Sequence, residues 1–189
     1  MSNVVVLDYG VVNLKNVVRG LEYAGADVIT CRDPERLRYA SRLVLPGVGA
    51  FKSGMAELTS RGFDESLTES VNIGIPTLGI CLGMQLFMES STEHGSATGL
   101  GLIPGTVEEI PKRIDDVADR KIPHIGWSEI FDNNQKKVWD DSCLRSVPNG
   151  SFCYFAHSFM ARPTFSGDIL AKCFYQGLPI AAAIKRGNI

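Results

Sequence analysis

A cysteine between two glycines is the feature of this 189-residue sequence that best fits catalytic chemistry. The segment Gly79-Ile80-Cys81-Leu82-Gly83 follows an apolar run typical of a strand and precedes a stretch with helical spacing. This Gly-x-Cys-x-Gly pattern is the thiol form of the nucleophile elbow, a tight turn that lifts the reactive atom above the end of a strand. Small residues are needed on both sides of such a turn, and glycine meets that need. We interpret Cys81 as a nucleophile, although most free cysteines are buried structural residues.

The same turn predicts where negative charge is stabilised during the reaction. The N–H of Leu82 points toward a developing oxyanion, and the N-terminal dipole of the following helix favours a thiolate. A second backbone donor is expected from Gly47-Val48-Gly49, which follows another predicted strand at the edge where ligands bind in such folds. Gln85 lies one helical turn beyond the elbow, where its amide can bond a polar substrate.

An unperturbed thiol is only a few per cent ionised at neutral pH, so a general base is expected near Cys81. The histidines are His94, His124 and His157, and none is followed two residues later by an acid that could orient it. The motifs therefore close no catalytic triad within these 189 residues. No group of residues has the spacing of a metal site, and no cofactor motif is present.

Composition excludes several classes of function. The formal net charge is −2, with 19 basic and 21 acidic side chains, so the basic excess of a nucleic-acid-binding surface is missing. The apolar runs are too short to cross a membrane. Five cysteines without a CxxC pair, behind a start that does not resemble a signal peptide, indicate free thiols in the cytoplasm.

The elements that position Cys81 alternate between strand and helix. Short β-branched runs predict strands at 4–7, 27–30, 42–45 and 76–80, with helices after Asn13, at 51–61, 63–71 and 82–90 and a short one from Pro34. Such alternation is typical of a doubly wound, mostly parallel α/β sheet.

The second half of the sequence has a different pattern. Residues 93–105 predict a loop and 132–141 a polar turn, and strands with little helix between them are predicted at 106–110, 125–130, 152–159, 168–174 and 180–185. We expect an added antiparallel portion that extends the same sheet, within a single domain covering residues 1–189.

Taken together, five segments resemble the glutamine amidotransferase subunit of imidazole glycerol phosphate synthase, a class I amidotransferase. They are Asp8-Tyr9-Gly10 with Asn13-Leu14, Leu45-Pro46-Gly47-Val48-Gly49-Ala50-Phe51, Gly79-Ile80-Cys81-Leu82-Gly83-Met84-Gln85, Pro123-His124-Ile125-Gly126-Trp127 and Tyr154-Phe155-Ala156-His157-Ser158. The resemblance implies hydrolysis of glutamine through a Cys81 thioester and delivery of ammonia to a (β/α)₈-barrel cyclase in histidine biosynthesis. No cofactor is implied.

The resemblance also implies roles for individual residues. The oxyanion would be stabilised by Leu82 and by the Val48–Gly49 backbone, which reorients when the partner is primed. The residues that would hold the polar groups of the substrate are Gly47, Gln85, His157, Ser158 and Phe159. Trp127 and Tyr154 would lie toward the cyclase.

Two departures from the family pattern leave alternatives open. The family continues through a strand carrying Phe-His-Pro-Glu, which supplies the triad histidine and glutamate, whereas this sequence stops at Ile189. We therefore expect a domain without its C-terminal end and with impaired glutaminase activity, or else a non-catalytic scaffold subunit. Ser128 stands where the family usually has Asn, which leaves open a paralogous subunit that supplies ammonia for amidation of a bacterial surface sugar. A cysteine hydrolase acting on another amide is a further alternative.

Overall fold

The computed structural model of this chain describes residues 3–10, 12–113, 119–132, 139 and 142–189. These residues form two compact units, Met1–Ile103 with Gly187–Ile189, and Pro104–Arg186. The single domain expected over residues 1–189 stays a prediction. No helix in the described ranges is long and apolar enough to cross a membrane.

The first unit is built on a parallel sheet of four strands in the order β2-β1-β3-β4. The strands are β1 (Asn3–Leu7), β2 (Asp27–Cys31), β3 (Arg42–Gly47) and β4 (Thr77–Cys81). The helices are α1 (Leu14–Tyr23), α2 (Phe51–Ser60), α3 (Phe63–Asn72) and α4 (Leu82–Leu86), with a 3₁₀ helix at Pro34–Tyr39. The alternation of apolar runs and amphipathic helices therefore predicted this unit correctly, because parallel strands need helical crossovers.

The helix that begins after Cys81 is shorter than the sequence predicts. It ends at Leu86 instead of residue 90, and it is followed by the hairpin strands β5 (Met88–Ser91) and β6 (Ala97–Thr98). Leu86, Phe87 and Met88 are all buried, and three consecutive buried residues do not fit a helix with one exposed face. The loop predicted at 93–105 consequently contains β6 and the start of the next strand.

The second unit is antiparallel. Its strands are β7 (Ile103–Glu109), β8 (His124–Glu129), β9 (Phe131–Asp132), β10 (Phe152–His157), β11 (Phe159–Pro163), β12 (Ile169–Tyr175) and β13 (Leu178–Ile184), with a 3₁₀ turn at Ser166–Asp168. β8 pairs with β10, β7 with β11, and β12 lies between β13 and β9. None of these described pairings joins the parallel sheet, so the antiparallel portion does not extend that sheet as expected.

The strand predicted at 152–159 is two strands. Its first part pairs with β8 and its second part with β7, and Ser158 lies at the change of partner. Aromatic and apolar residues on both sides of the polar pair His157-Ser158 favour a single strand, whereas the structure breaks the strand at that pair. The polar turn predicted at 132–141 lies mostly outside the described residues.

Candidate active site

Cys81 sits on a strained turn between β4 and α4. Its backbone has φ 56° and ψ −115°, a conformation that L-residues rarely adopt. The side chain is exposed at the carboxyl end of the parallel sheet. This geometry is that of a nucleophile elbow, and it removes the alternative of a buried structural cysteine.

The two glycines of the motif are required by close packing. A Cβ on Gly79 would lie 2.6 Å from the backbone nitrogen of Met84 and 2.5 Å from Phe87 Cε2. A Cβ on Gly83 would overlap the carbonyl oxygen of Leu45 in β3. Contacts this short involve backbone atoms, so glycine is needed on both sides of Cys81 for α4 to pack against the sheet.

Tyr9 fills the space behind the elbow. It is fully buried, and its hydroxyl donates a 2.8 Å hydrogen bond to the carbonyl oxygen of Pro46. Burial raises the pKa of Tyr9 well above its usual range, with a smaller contribution from the charge of Cys81, so the phenol remains a donor. A Cβ on Gly47 would lie 2.8 Å from the Tyr9 hydroxyl oxygen. Sequence reasoning assigned no role to Tyr9, although its position two residues after the end of β1, at the carboxyl edge of the sheet, was a usable signal.

The glycine turn predicted to supply a second oxyanion donor lies beside the elbow. Gly47 is in register with Cys81 across β3 and β4. Val48 is 43% exposed, and Gly49 has φ +90°, which L-residues with a side chain rarely adopt. The structure thus brings Gly47, Val48 and Gly49 to the same sheet edge as the thiol.

Glu93 is a second residue that the sequence did not reveal. The backbone N–H of Phe51, the first residue of α2, donates a 2.6 Å hydrogen bond to Glu93 Oε2. The residue before it, Ala50, provides no side-chain cap, so a carboxylate from a distant segment performs this role. An alanine at the start of a helix was the signal that an external cap is needed. Glu93 therefore holds the helix that follows the glycine turn.

Leu82 and Gln85 lie on α4 as expected. Leu82 is the first residue of that helix, where the backbone N–H has no intrahelical acceptor, while its side chain is buried. Gln85 follows one turn later and is half-buried. The helix has only five residues, so the dipole that acts on Cys81 arises from little more than one turn.

The other predicted substrate residues lie in the second unit. His157 ends β10, Ser158 follows it, and Phe159 begins β11. The Nδ1 atom of His157 is 2.9 Å from the carbonyl oxygen of Phe159 and bridges the break between the two strands. The structure places these three residues together, as their sequence proximity requires.

Trp127 and Tyr154 form an exposed aromatic pair on the outer face of β8 and β10. They are opposite each other in the register, with ring centroids 5.6 Å apart in an edge-on arrangement. Their exposed fractions are 68% and 57%, and Ile125 and Phe152 on the same face are also exposed. A contiguous apolar face of this kind marks an interaction surface.

The candidate bases have different surroundings. His94 is exposed and has φ 52°. The rings of His124 and His157 bond to each other, 3.0 Å apart from Nδ1 to Nε2. Within the described ranges, no cluster of three or more His, Cys, Asp and Glu side chains could hold a metal ion.

Comparisons with known proteins agree with this geometry. The family model described as glutamine amidotransferase class-I matches residues 5–186. The chain is 46% identical over its whole length to "Imidazole glycerol phosphate synthase subunit HisH 1" of Legionella pneumophila (strain Lens), covering 89% of that protein. It is 37% identical to the HisH subunit of Geobacter metallireducens and 41% identical to that of Methanosarcina barkeri, in each case over all of this chain and 88% of the relative.

Solved structures show the same fold at low sequence identity. One described as a crystal structure of glutamine amidotransferase has a TM-score of 0.67 at 15% identity, over 93% of this chain and 82% of its own. PurLQS from Thermotoga maritima has a TM-score of 0.64 at 15% identity, over 97% and 78%. They confirm the predicted α/β fold class, with its parallel sheet and antiparallel portion. With the elbow, the family model and the full-length relatives in agreement, the chain belongs to the class I glutamine amidotransferases.

Proposed function

We propose that this chain is the glutaminase subunit of an imidazole glycerol phosphate synthase, acting in the cytoplasm in histidine biosynthesis. The observation that carries the proposal is the exposed Cys81 on a turn with φ 56°, held by glycines that admit no side chain. The relatives named above carry this subunit's name at 37–46% identity over the whole chain, which favours this role over the surface-sugar paralogue. Both units together would form one amidotransferase domain.

The proposed reaction proceeds through a thioester. The Cys81 thiolate attacks the carboxamide carbon of glutamine and forms a tetrahedral oxyanion, which the Leu82 N–H and the Val48–Gly49 backbone stabilise. The general base returns the proton it took from the Cys81 thiol to the leaving nitrogen, and the intermediate collapses to ammonia and a glutamyl thioester on Cys81. Water attacks this thioester, releasing glutamate and restoring the thiol. No cofactor is required.

Further residues would bind the substrate and the partner. The backbone of Gly47, the amide of Gln85 and the His157–Phe159 backbone would bond the polar groups of glutamine. The exposed Trp127 and Tyr154 would contact a (β/α)₈-barrel cyclase that receives the ammonia. This assignment is supported by their apolar exposure and by the subunit names of the relatives.

The general base is proposed to lie on the Phe-His-Pro-Glu segment typical of the family. Asn188 already contacts the start of β4, since the Thr77 N–H donates a 2.8 Å hydrogen bond to its carbonyl oxygen. β4 is an edge strand of the described sheet and ends in Cys81. A segment joined to Ile189 therefore starts about 13 Å from Cys81 along an available strand edge.

The test compares this chain with a version carrying the Phe-His-Pro-Glu segment typical of the family, each assembled with its cyclase. Glutamate release is measured with and without the Cys81→Ala substitution. We expect robust turnover only in the extended version, and Cys81→Ala should lower it by on the order of 10⁴- to 10⁶-fold. Extended protein that hydrolyses glutamine equally well without the thiol would refute the proposal. Equal turnover by the short and extended versions would refute the placement of the base.

A further inference from the structure

The inner face of β8 and β10 carries a chain of hydrogen bonds built from two histidines. His124 is 1% exposed, and its Nδ1 is 3.0 Å from Nε2 of His157. Its other nitrogen, Nε2, is 3.0 Å from the hydroxyl oxygen of Ser128. At the far end, Nδ1 of His157 is 2.9 Å from the carbonyl oxygen of Phe159. Every ring nitrogen of the pair thus has a partner.

The acceptor at the end of this chain determines where the protons lie. A carbonyl oxygen only accepts, so Nδ1 of His157 must carry the hydrogen. In the neutral pair Nε2 of His157 then accepts, and Nδ1 of His124 donates. His124 Nε2 in turn accepts from the Ser128 hydroxyl. Both imidazoles are therefore in the Nδ1–H form. Each group donates its hydrogen bond in the same direction, from Ser128 toward Phe159.

Packing prevents His124 from leaving this arrangement. Its ring is stacked on Phe155, with centroids 4.9 Å apart, and on Tyr175, with centroids 4.1 Å apart. Burial lowers the pKa of both histidines, and the neighbouring His157 lowers that of His124 further, so the neutral pair is favoured. A ring turned out of this plane would lose both stacking contacts and both hydrogen bonds.

The chain of hydrogen bonds ends at the point where the β-strand changes its pairing partner. His157 belongs to β10 and Phe159 to β11, and the ring-to-carbonyl bond spans Ser158 between them. We propose that His124 is a positioning residue that fixes the His157–Phe159 backbone, through His157, in the geometry that receives the polar groups of the substrate. This inference rests on the proposed function, in which that backbone binds glutamine.

The first test observes the tautomers directly and needs no catalytic activity. Long-range ¹H–¹⁵N correlation spectra of the whole chain distinguish Nδ1–H from Nε2–H imidazole, and His124→Asn and His157→Asn variants assign the signals. We expect the Nδ1–H form for both rings near pH 7.5, whereas the exposed His94 serves as the solvent-averaged reference. An Nε2–H form at His124 or His157 would overturn the proposal.

The second test measures glutamine binding without requiring turnover. Iodoacetamide alkylates Cys81, the site is followed by peptide mass spectrometry, and the glutamine concentration that halves the rate reports affinity. His124→Leu removes the donor to His157, and we expect it to raise this concentration roughly three- to tenfold, the effect of one lost hydrogen bond. His124→Asn keeps an N–H donor and should restore affinity to within about twofold.

The outcomes separate this inference from the proposed function. The alkylation rate of Cys81 without glutamine should be the same in all variants, because the thiol itself is unchanged. If glutamine protects the unmodified chain and both variants equally, His124 has no positioning role. If glutamine fails to protect the unmodified chain, the proposed function is refuted and this inference with it. Should His124→Leu not fold, the tautomers and the His124→Asn affinity decide the question.

Discussion

Replacing Gly83, a buried residue of α4, by alanine should destabilise the protein far more than the same replacement at Gly20 in α1. The new Cβ would overlap the carbonyl oxygen of Leu45 and lie 2.8 Å from its carbonyl carbon. Leu45 lies on β3, which is bonded to β1 on one side and β4 on the other, so its backbone cannot yield. Overpacking in cores typically costs about 1–3 kcal/mol. A clash with fixed backbone belongs at the upper end, and we expect a loss of about 3 kcal/mol or more.

Gly20→Ala is the matched control, because Gly20 also lies in a helix but its Cβ would meet nothing within 4 Å. Alanine is favoured over glycine there by about 0.5–1 kcal/mol. For a chain of this size, 1 kcal/mol changes the melting temperature by roughly 2–4 °C. In thermal unfolding, the melting temperature of the Gly83→Ala variant should therefore be lower by about 6–12 °C than that of the unmodified protein, and that of Gly20→Ala slightly higher. Similar melting temperatures for the two variants would refute the packing argument for the elbow.

Three further predictions follow from the described contacts. The Cys81→Gly variant should unfold at a higher urea concentration than Cys81→Ala, because glycine relieves backbone strain of about 1–3 kcal/mol. Identical unfolding midpoints would show that the turn is unstrained. The folded-state pKa values of His124 and His157 are lowered by burial, so the unfolded chain binds more protons, and the free energy of unfolding should fall as pH drops below about 6.5. A His124→Asn, His157→Asn double variant should show a flatter pH dependence in urea titrations, and an unchanged slope would contradict this assignment. Glu93→Ala removes the cap of α2 and should lower the free energy of unfolding by about 0.5–2 kcal/mol. Glu93→Gln should lower it less, because glutamine keeps an acceptor oxygen. Equal losses of stability in the two variants would argue against the cap.

The first half of the fold was predictable because each element carries its own signal. β-branched runs mark the strands, helical spacing marks α1 to α3, and the glycines around Cys81 mark the elbow. The prediction failed at residues 82–90, where the consecutive burial of Leu86, Phe87 and Met88 replaced the one-sided pattern of a surface helix. It also failed at residues 152–159, because the polar pair His157-Ser158 does not by itself show that the strand changes its pairing partner there.

The amino-acid sequence by itself determined the class of fold and singled out Cys81 as the candidate nucleophile. Both depend on local rules, namely residue size at a tight turn and periodicity along one element. Only the tertiary structure decided that Tyr9 lies behind Gly47, that Glu93 caps α2 at Phe51, and that His124 bonds His157. These pairs are far apart along the chain or on different strands, and a hydrogen bond depends on distance and angle that chain folding alone establishes.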